Sequence, residues 1–319
     1  EEKLFSSYDL IGNSENIEKI KEQIEKISIS ESRIFINGPT GSGKELIARK
    51  IHKKSKREKK PFVIINGALL DIQKYELELF GEENKNGSIF YGALEKASDG
   101  ILLIDEISEI PLETQSKILR VLIDQKFKRI NGNHDINVNV RIICTSSKDI
   151  KNEIEIGNFR EDLYHRLNVF EINIEPLKKR ISDIPFLIDY FSKKIALNYN
   201  LKKLNIDANN KYLLQYDWPG NIRELRNLIE RIAILSPDSD DKISNIIKES
   251  LKTPDIKDNL SENSLSVPLK EARENFEKEY LTTQLKKFNG NISKTASFIG
   301  MERSALHRKL KGLGIKELD

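Results

Sequence analysis

Cysteine is almost missing from this chain: one residue, Cys144, stands in 319. No intramolecular disulfide can form, so a disulfide-stapled scaffold is excluded. The four histidines, His52, His134, His165 and His307, are scattered without metal-ligand spacing. Long apolar runs are missing as well, none approaching the roughly 20 residues that a membrane-spanning helix needs. The amino end carries no secretory or transit pattern. No membrane partner is expected, and the cytoplasm is the expected location. The chain opens Glu1-Glu2-Lys3 rather than on methionine, as a piece of a longer protein would.

What is present suffices for two or three domains, with 38% hydrophobic residues to fill their cores. The net charge of +3 hides an asymmetry. Between Leu285 and Lys316, eight basic residues (Lys286, Lys287, Lys294, Arg303, Arg308, Lys309, Lys311 and Lys316) face one acid, Glu302. That stretch therefore holds +7 and leaves the remainder at −4. A basic end on a slightly acidic body points to nucleic acid, although a solvated lysine-rich face has the same composition.

The most informative stretch is Gly38-Pro39-Thr40-Gly41-Ser42-Gly43-Lys44-Glu45, between the apolar run Ile34-Phe35-Ile36 and a helical pattern carrying Leu46, Ile47, Ala48 and Ile51. Strand, glycine-rich turn and helix form the context of a phosphate-binding P-loop. The glycines let consecutive N–H groups curl around phosphate oxygens; the helix start and Lys44 add positive charge. Glu45 departs from the usual pattern, standing where Ser or Thr ordinarily ligates magnesium. A second strand, Ile101 to Ile104, runs into Asp105-Glu106. Two carboxylates at a strand's carboxyl end occupy the edge where open α/β sheets bind ligands. Asp105 is placed to hold Mg2+ through its water shell, and Glu106 to polarise an attacking water.

Phe62 to Asn66 reads as a further buried strand, as do Val140 to Thr145 and Val169 to Ile174, and Lys53 to Lys60 as a solvated basic turn. Strands apolar on both faces, alternating with helices, predict an α/β fold with a covered parallel sheet. Asn13 or Ser14 is a plausible cap for a helix carrying Ile17, Ile20, Ile24 and Ile27. Helices are expected over Thr114 to Asp124, Asp183 to Asn200 and Asp207 to Tyr216. Asn221 with Glu224 reads as a capping box for the next helix. Arg223 sits in its first turn, where a cation gains nothing from the helix dipole. It is either a surface arginine or awaits an anion. Ser236 to Ser266, polar and poor in aromatics, reads as a linker with one short helix.

The last segment has two apolar stripes, Leu269, Ala272, Phe276 and Tyr280, then Leu281, Leu285 and Phe288. Two stripes on one helix predict two buried faces, one of them against a partner chain. Ile292 to Ile299, the Gly300-Met301 turn and Glu302 to Lys311 form a helix-turn-helix with Ala296, Leu306 and Leu310 inward. Arg303, Ser304, His307, Arg308 and Lys311 remain for a DNA major groove.

Together these residues resemble the bacterial enhancer-binding proteins, the NtrC-type activators of sigma-54 RNA polymerase. The stretches that carry the resemblance are GPTGSGKE, ELFG at 78–81, ILLIDEI at 101–107, FREDLYHRL at 159–167 and WPGNIRELRN at 218–227. The resemblance covers about 6–236 as an AAA+ domain and 267–315 as a Fis-type domain. It implies an AAA+ P-loop parallel sheet with a helical lid subdomain, then an all-α Fis-type helix-turn-helix domain. The expected divisions are 1–176, 177–236, a linker over 237–266, and 267–319.

The resemblance also implies roles. ATP is the expected ligand, and Glu45 is ordinary in this family. Ile11 and Gly12 match the adenine-contacting segment, and Asn66 the asparagine that holds the catalytic glutamate. Arg160 and Arg166 match arginine fingers that reach a neighbouring subunit, and Arg223 matches the sensor II arginine. The sensor I pair reads Ser146-Ser147 where the family usually has Thr-Asn. Between Gly81 and Gly92 the family carries the sigma-contacting GAFTGA loop; here EENKNGSIFY is shorter. That shortening, with GALEKA at 92–97 and ERSALHRKL at 302–310, is most similar to the NtrX response regulators, partners of NtrY-like sensor kinases. Their receiver domain is not in this sequence. The implied partners are double-stranded DNA, a homo-oligomer (a dimer or hexameric ring), the upstream kinase and RNA polymerase. The leading expectation is a DNA-binding regulator whose AAA+ domain is a weak ATPase controlling oligomerisation. The alternatives are a full sigma-54 activator and an AAA+ loader ATPase.

Overall fold

A computed structural model of the chain describes residues 9–69, 74–85, 87–199, 204–235, 240–251, 277–278, 280–282, 284–285, 288 and 291–313. It divides into two units, Glu1–Leu251 and Lys252–Asp319, described separately below.

In the first unit, α1 (Glu15–Ser28) precedes β1 (Ile34–Asn37), α2 (Lys44–Lys54) and β2 (Phe62–Asn66). Helix α3 (Tyr75–Phe80) leads into the hairpin β3 (Gly81–Glu83) and β4 (Ile89–Tyr91). Then come α4 (Ala93–Lys96), β5 (Ile101–Asp105), α5 (Leu112–Asp124) and a small hairpin, β6 (Lys126–Phe127) with β7 (Ile136–Asn137). Strand β8 (Arg141–Ser146), α6 (Ile150–Glu155), α7 (Glu161–Leu167) and β9 (Phe170–Asn173) complete the α/β part. Five parallel strands lie in the order β2-β5-β8-β1-β9.

Successive strand residues point to opposite faces, and both faces here are apolar. Ile101 and Leu103 of β5 join Ile17, Ile20 and Ile24 of α1 and Ile47 and Ile51 of α2. Leu102 and Ile104 join Leu79 of α3, Ile118 and Val121 of α5 and Leu163 of α7. Ser14 caps α1, its hydroxyl accepting from the Ile17 N–H. Strand β2 is less buried than its sequence suggests, because it forms an edge and leaves Phe62, Val63 and Ile64 half-covered. The basic stretch 53–60 is not wholly solvated either. Arg57 donates to the Gly100 and Asn139 carbonyls and pairs with Glu31, tying the loop to the sheet's amino edge.

A helical lid follows: α8 (Ile184–Tyr199), α9 (Lys211–Gln215), α10 (Asn221–Leu235) and α11 (Asp240–Ser250). Helix α9 is shorter than expected, since Asp207 and Asn210 accept N–H bonds two residues on and hold 207–210 as a turn. The expected capping box is also rearranged. Glu224 accepts from the Gly220 N–H at 2.8 Å, while Asn221 is the first helical residue and its side chain is engaged elsewhere. Trp218 lies at the centre of the lid, 1% exposed, its indole N–H donating to the Leu213 carbonyl. Ile243, Ile247 and Leu251 join the same core, so the short helix within the expected linker 237–266 packs as part of the lid. Residues 236–239 and 252–266 lie outside the described residues.

In the second unit, helices Ile292–Ile299 and Arg303–Gly312 are joined at Gly300, which is left-handed with φ 72°. Ala296, Leu306 and Leu310 pack with Leu281 and Leu285. Tyr280, on the other expected stripe, is exposed; Leu269, Ala272 and Phe276 lie outside the described residues.

Trp218 is the only tryptophan, so its fluorescence reports on the lid core. Trp218→Ala empties the centre of that core and is expected to cost about 3–5 kcal/mol, measured by urea denaturation followed by circular dichroism.

Candidate nucleotide site

The P-loop joins the end of β1 to the start of α2, and its turn is possible only with glycine. Gly41 has φ 77°, and a Cβ there would sit 2.2 Å from the Gly220 carbonyl of the lid. Helix α2 has no side-chain cap at Gly43, so its first-turn N–H groups and positive end remain available to an anion. Lys44 is 6% exposed. Its ammonium donates to the Gly38 carbonyl at 2.9 Å and pairs with Glu106 Oε1 at 3.0 Å. Glu45 points elsewhere, half-exposed and paired with Arg49 one turn along.

Asp105 and Glu106 meet different surroundings. Asp105 accepts from the Thr145 hydroxyl at 2.6 Å and from Asn66 Nδ2 at 2.9 Å. Burial pushes its carboxyl above the usual range, and neighbouring Glu106 adds to this against the Thr145 bond. Glu106 is also desolvated, which raises its pKa, but bonds from Ser147 and Lys44 outweigh burial and hold it below the usual value. It occupies a left-handed conformation, φ 55° and ψ 54°, uncommon for a side-chain-bearing residue. Asn66, expected to hold the glutamate, is committed instead to Asp105 and, through Oδ1, to the Ala68 N–H. Besides Lys44, Ser147 holds Glu106, donating to it through both its N–H (2.8 Å) and its hydroxyl (2.7 Å).

A cleft of about 300 Å³ runs from these carboxylates to the lid. Thr40, Gly41, Ser42, Gly43, Lys44 and Glu45 of the P-loop line it together with Ile11, Tyr190, Phe191, Ile222, Arg223 and Arg226, and the Arg223 N–H donates to the Gly41 carbonyl at 3.3 Å. Gly38 lies behind the loop, its carbonyl on Lys44. Gly12, φ 134°, passes so close to Asp183 that a Cβ would meet its carboxyl at 2.6 Å.

Sequence reasoning missed the pair that sets this geometry. Arg180 and Asp183 are essentially buried, 1% and 0% exposed, with their charged groups 3.7 Å apart. Asp183 accepts from the N–H groups of Asn13 and Ser14 and from the Ser14 hydroxyl. Arg180 donates to the carbonyls of Glu175 and of Ser42 in the P-loop. Asn221 adds a second tie, donating to the Thr40 carbonyl and accepting the Leu177 N–H. In the sequence Arg180 and Asp183 are two ordinary charges three residues apart; only their burial distinguishes them. Tyr190 and Phe191 were missed too, being indistinguishable there from core aromatics.

Arg160 and Arg166 do not line the cleft. Arg166 is exposed on α7; Arg160, half-buried at its amino cap, is paired with Asp162 at 2.7 Å. In the second unit, Arg303, Ser304, His307 and Arg308 are exposed together on the second helix of the helix-turn-helix. The side chain of Lys311 lies outside the described residues.

Comparison with known proteins accords with this architecture. Residues 10–173 match the sigma-54 interaction domain profile, 178–263 an AAA+ ATPase lid domain, and 272–313 the bacterial regulatory proteins of the Fis family. The chain belongs to the sigma-54 activator family. Within it, the chain is 44% identical over 325 residues to the nitrogen assimilation regulatory protein NtrX of Azorhizobium caulinodans, covering 98% of this chain and 70% of that protein. A putative NtrX-like response regulator of Rickettsia felis is also 44% identical, over 98% of this chain and 68% of its own length. The crystal structure of NtrX from Brucella abortus in complex with ATP superposes with a TM-score of 0.74 at 43% identity, over 96% of this chain and 69% of that one. Its complex with ADP gives 0.73 at 43% identity, over 97% and 70%. The chain is thus an NtrX-like AAA+ regulator of the sigma-54 activator type with a Fis-type DNA-binding domain. The segment between Gly81 and Gly92 forms the short hairpin β3–β4, with Ile89, Phe90 and Tyr91 exposed.

The contacts of Glu106 generate a pH signature. Its depressed pKa contributes stability above the unfolded value of about 4.3, lost as pH falls through the folded pKa. Glu106→Gln is therefore expected to destabilise the nucleotide-free protein at pH 7 by about 1–2 kcal/mol. The difference from the parent should close below about pH 4, as read by urea midpoints across pH.

Proposed function

We propose that this chain regulates transcription by binding DNA through its helix-turn-helix, with ATP in the AAA+ cleft setting its assembly. The observation that carries the proposal is the cleft's division of chemistry. The P-loop and β5 offer Lys44, the start of α2 and two carboxylates; the amino-terminal segment and the lid offer Ile11, Tyr190, Phe191 and Ile222 with Arg226, and Arg223 against Gly41. The first suits a triphosphate and a water, the second an adenine ring. That relatives were crystallised with ATP and ADP supports the same ligand here.

In this reading Lys44 leaves Glu106 for the β- and γ-phosphates, and Glu106 polarises the attacking water. Arg223 contacts the phosphates from the lid, and Arg160 and Arg166 complete the site of a neighbouring subunit. Magnesium fits the donor set through Asp105, whose desolvated carboxylate a cation would relieve; Glu45 is diverted to Arg49. Bound there, Mg2+ would neutralise phosphate charge. An upstream sensor kinase of the NtrY kind would act through a receiver domain.

Lys44→Ala is expected to weaken ATP binding by at least about 100-fold with the circular dichroism spectrum unchanged; isothermal titration calorimetry checks this. Retained affinity would overturn the P-loop assignment. Subunit dependence is expected too: specific ATPase activity climbs with protein concentration, and mixing Arg166→Ala with Lys44→Ala restores part of it.

A second reading, remodelling of sigma-54 polymerase, is favoured by the exposed Ile89, Phe90 and Tyr91 within the segment matched as a sigma-54 interaction domain. Only five residues, 84–88, separate β3 from β4, short for a loop that must reach a sigma factor. Transcription in vitro with sigma-54 polymerase, a cognate upstream site and ATP separates the two. No open complex is expected, with an NtrC-type activator as positive control; ATP-dependent opening would promote the second reading.

A further inference from the structure

Three consecutive carbonyls of the phosphate loop are held from outside it. Asn221 Nδ2 donates to Thr40 at 3.0 Å, the Arg223 N–H to Gly41 at 3.3 Å and Arg180 Nη2 to Ser42 at 3.2 Å. A trans peptide carries its C=O and its N–H on opposite sides, so each of these bonds also aims the N–H that follows. The Ser42 N–H turns to the Pro39 carbonyl at 3.2 Å and closes the loop's own turn. Those of Gly41 and Gly43 have no partner among the described residues and stay available to an anion. They belong to the two peptides that the side chains of Asn221 and Arg180 hold.

Both peptides run into a glycine, Gly41 at φ 77° and Gly43 at φ 106°. No Cβ restrains either residue, so an unheld peptide can turn over and present its carbonyl to the phosphates instead. A loop with that freedom loses it when an anion binds, whereas a bond from a rigid neighbour removes the cost beforehand. Arg180 and Asn221 are such neighbours, 1% and 2% exposed. The hydrogen bonds of Arg180 go to carbonyls rather than to its countercharge. Nε and Nη2 donate to Glu175 and Ser42, while Asp183 stands 3.7 Å from Nη1, beyond hydrogen-bond distance. A guanidinium placed only to neutralise Asp183 would grip the carboxylate with both prongs.

We propose that Arg180 and Asn221 are positioning residues for phosphate binding. They fix the Ser42–Gly43 and Thr40–Gly41 peptides so that the glycine N–H groups face the anion. The inference rests on the ATP reading of the cleft given above. It makes phosphate affinity depend on how the lid is seated, because a lid withdrawn from the loop releases both peptides together.

The test uses the full chain with Arg180→Lys and, separately, Asn221→Gly. Lysine keeps a charge beside Asp183 but offers one nitrogen where the fork reached two carbonyls. Glycine suits the left-handed backbone of Asn221, φ 52°. Displacement of a fluorescent ATP analogue measures the affinities for ATP, tripolyphosphate and AMP. Each variant is expected to bind ATP and tripolyphosphate on the order of tenfold more weakly, and AMP, with its single phosphate, to lose clearly less. A merely structural role would weaken all three ligands alike. Equal losses for AMP and tripolyphosphate, or an unchanged affinity for tripolyphosphate, therefore overturn the proposal. If Arg180→Lys fails to fold by circular dichroism, Asn221→Gly decides. A parent that binds neither ATP nor tripolyphosphate sinks the ATP reading and this inference with it. Parent binding that Lys44→Ala removes and both variants keep overturns this inference alone.

Discussion

The first unit depends on one buried ion pair. Arg180 and Asp183 sit immediately before the lid helix α8 and bond to the amino-terminal segment, to the P-loop and to the Glu175 carbonyl. Taking two charges out of water costs several kcal/mol per ion. Here the cost is offset by backbone partners as well as by mutual attraction: two N–H groups and a hydroxyl on Asp183, two carbonyls on Arg180. Burial lowers the Arg180 pKa against the pull of Asp183, so the attraction offsets only part of the desolvation. What the pair supplies is geometry. It fixes where Gly12 passes and how closely Ser42 approaches the lid, and so the width of the cleft.

Within that frame, a second constraint divides the labour of two adjacent carboxylates. Asp105 ends a strand and shares hydrogen bonds with neutral groups, so burial dominates and its proton is held more tightly. Glu106, one residue on, turns into a left-handed conformation that swings its side chain to Lys44 and Ser147. Side chains alternate along a strand, and this turn breaks the alternation, giving neighbours in sequence opposite electrostatic surroundings.

Much of this was legible in the chain. The β5 run ends in Asp105-Glu106 and the glycine-rich turn precedes Lys44, so motif spacing alone picked out residues that line the cleft. The parallel sheet followed from strands apolar on both faces. The less legible features are long-range. Asn221 looked like a cap because its spacing to Glu224 suits one, yet its amide is drawn to Thr40 across 181 positions of sequence. Asn66 looked like the glutamate's partner because the family's is; the sheet register sets it beside Asp105. Arg57 looked solvated because its neighbours are basic, whereas its guanidinium closes the amino edge of the sheet.

The sequence by itself determined the element types, the order of the domains and the nature of the ligand chemistry. Local backbone preference and apolar periodicity act over a few residues, and the P-loop is a contiguous stretch. Only the tertiary structure decided which carboxylate Lys44 and Ser147 bond, which ion pair is buried beside the P-loop and which strands form the sheet edges. Those outcomes depend on burial and on distances between residues remote in sequence. Burial is a property of the packed chain, and desolvation separates Arg180 from any surface arginine.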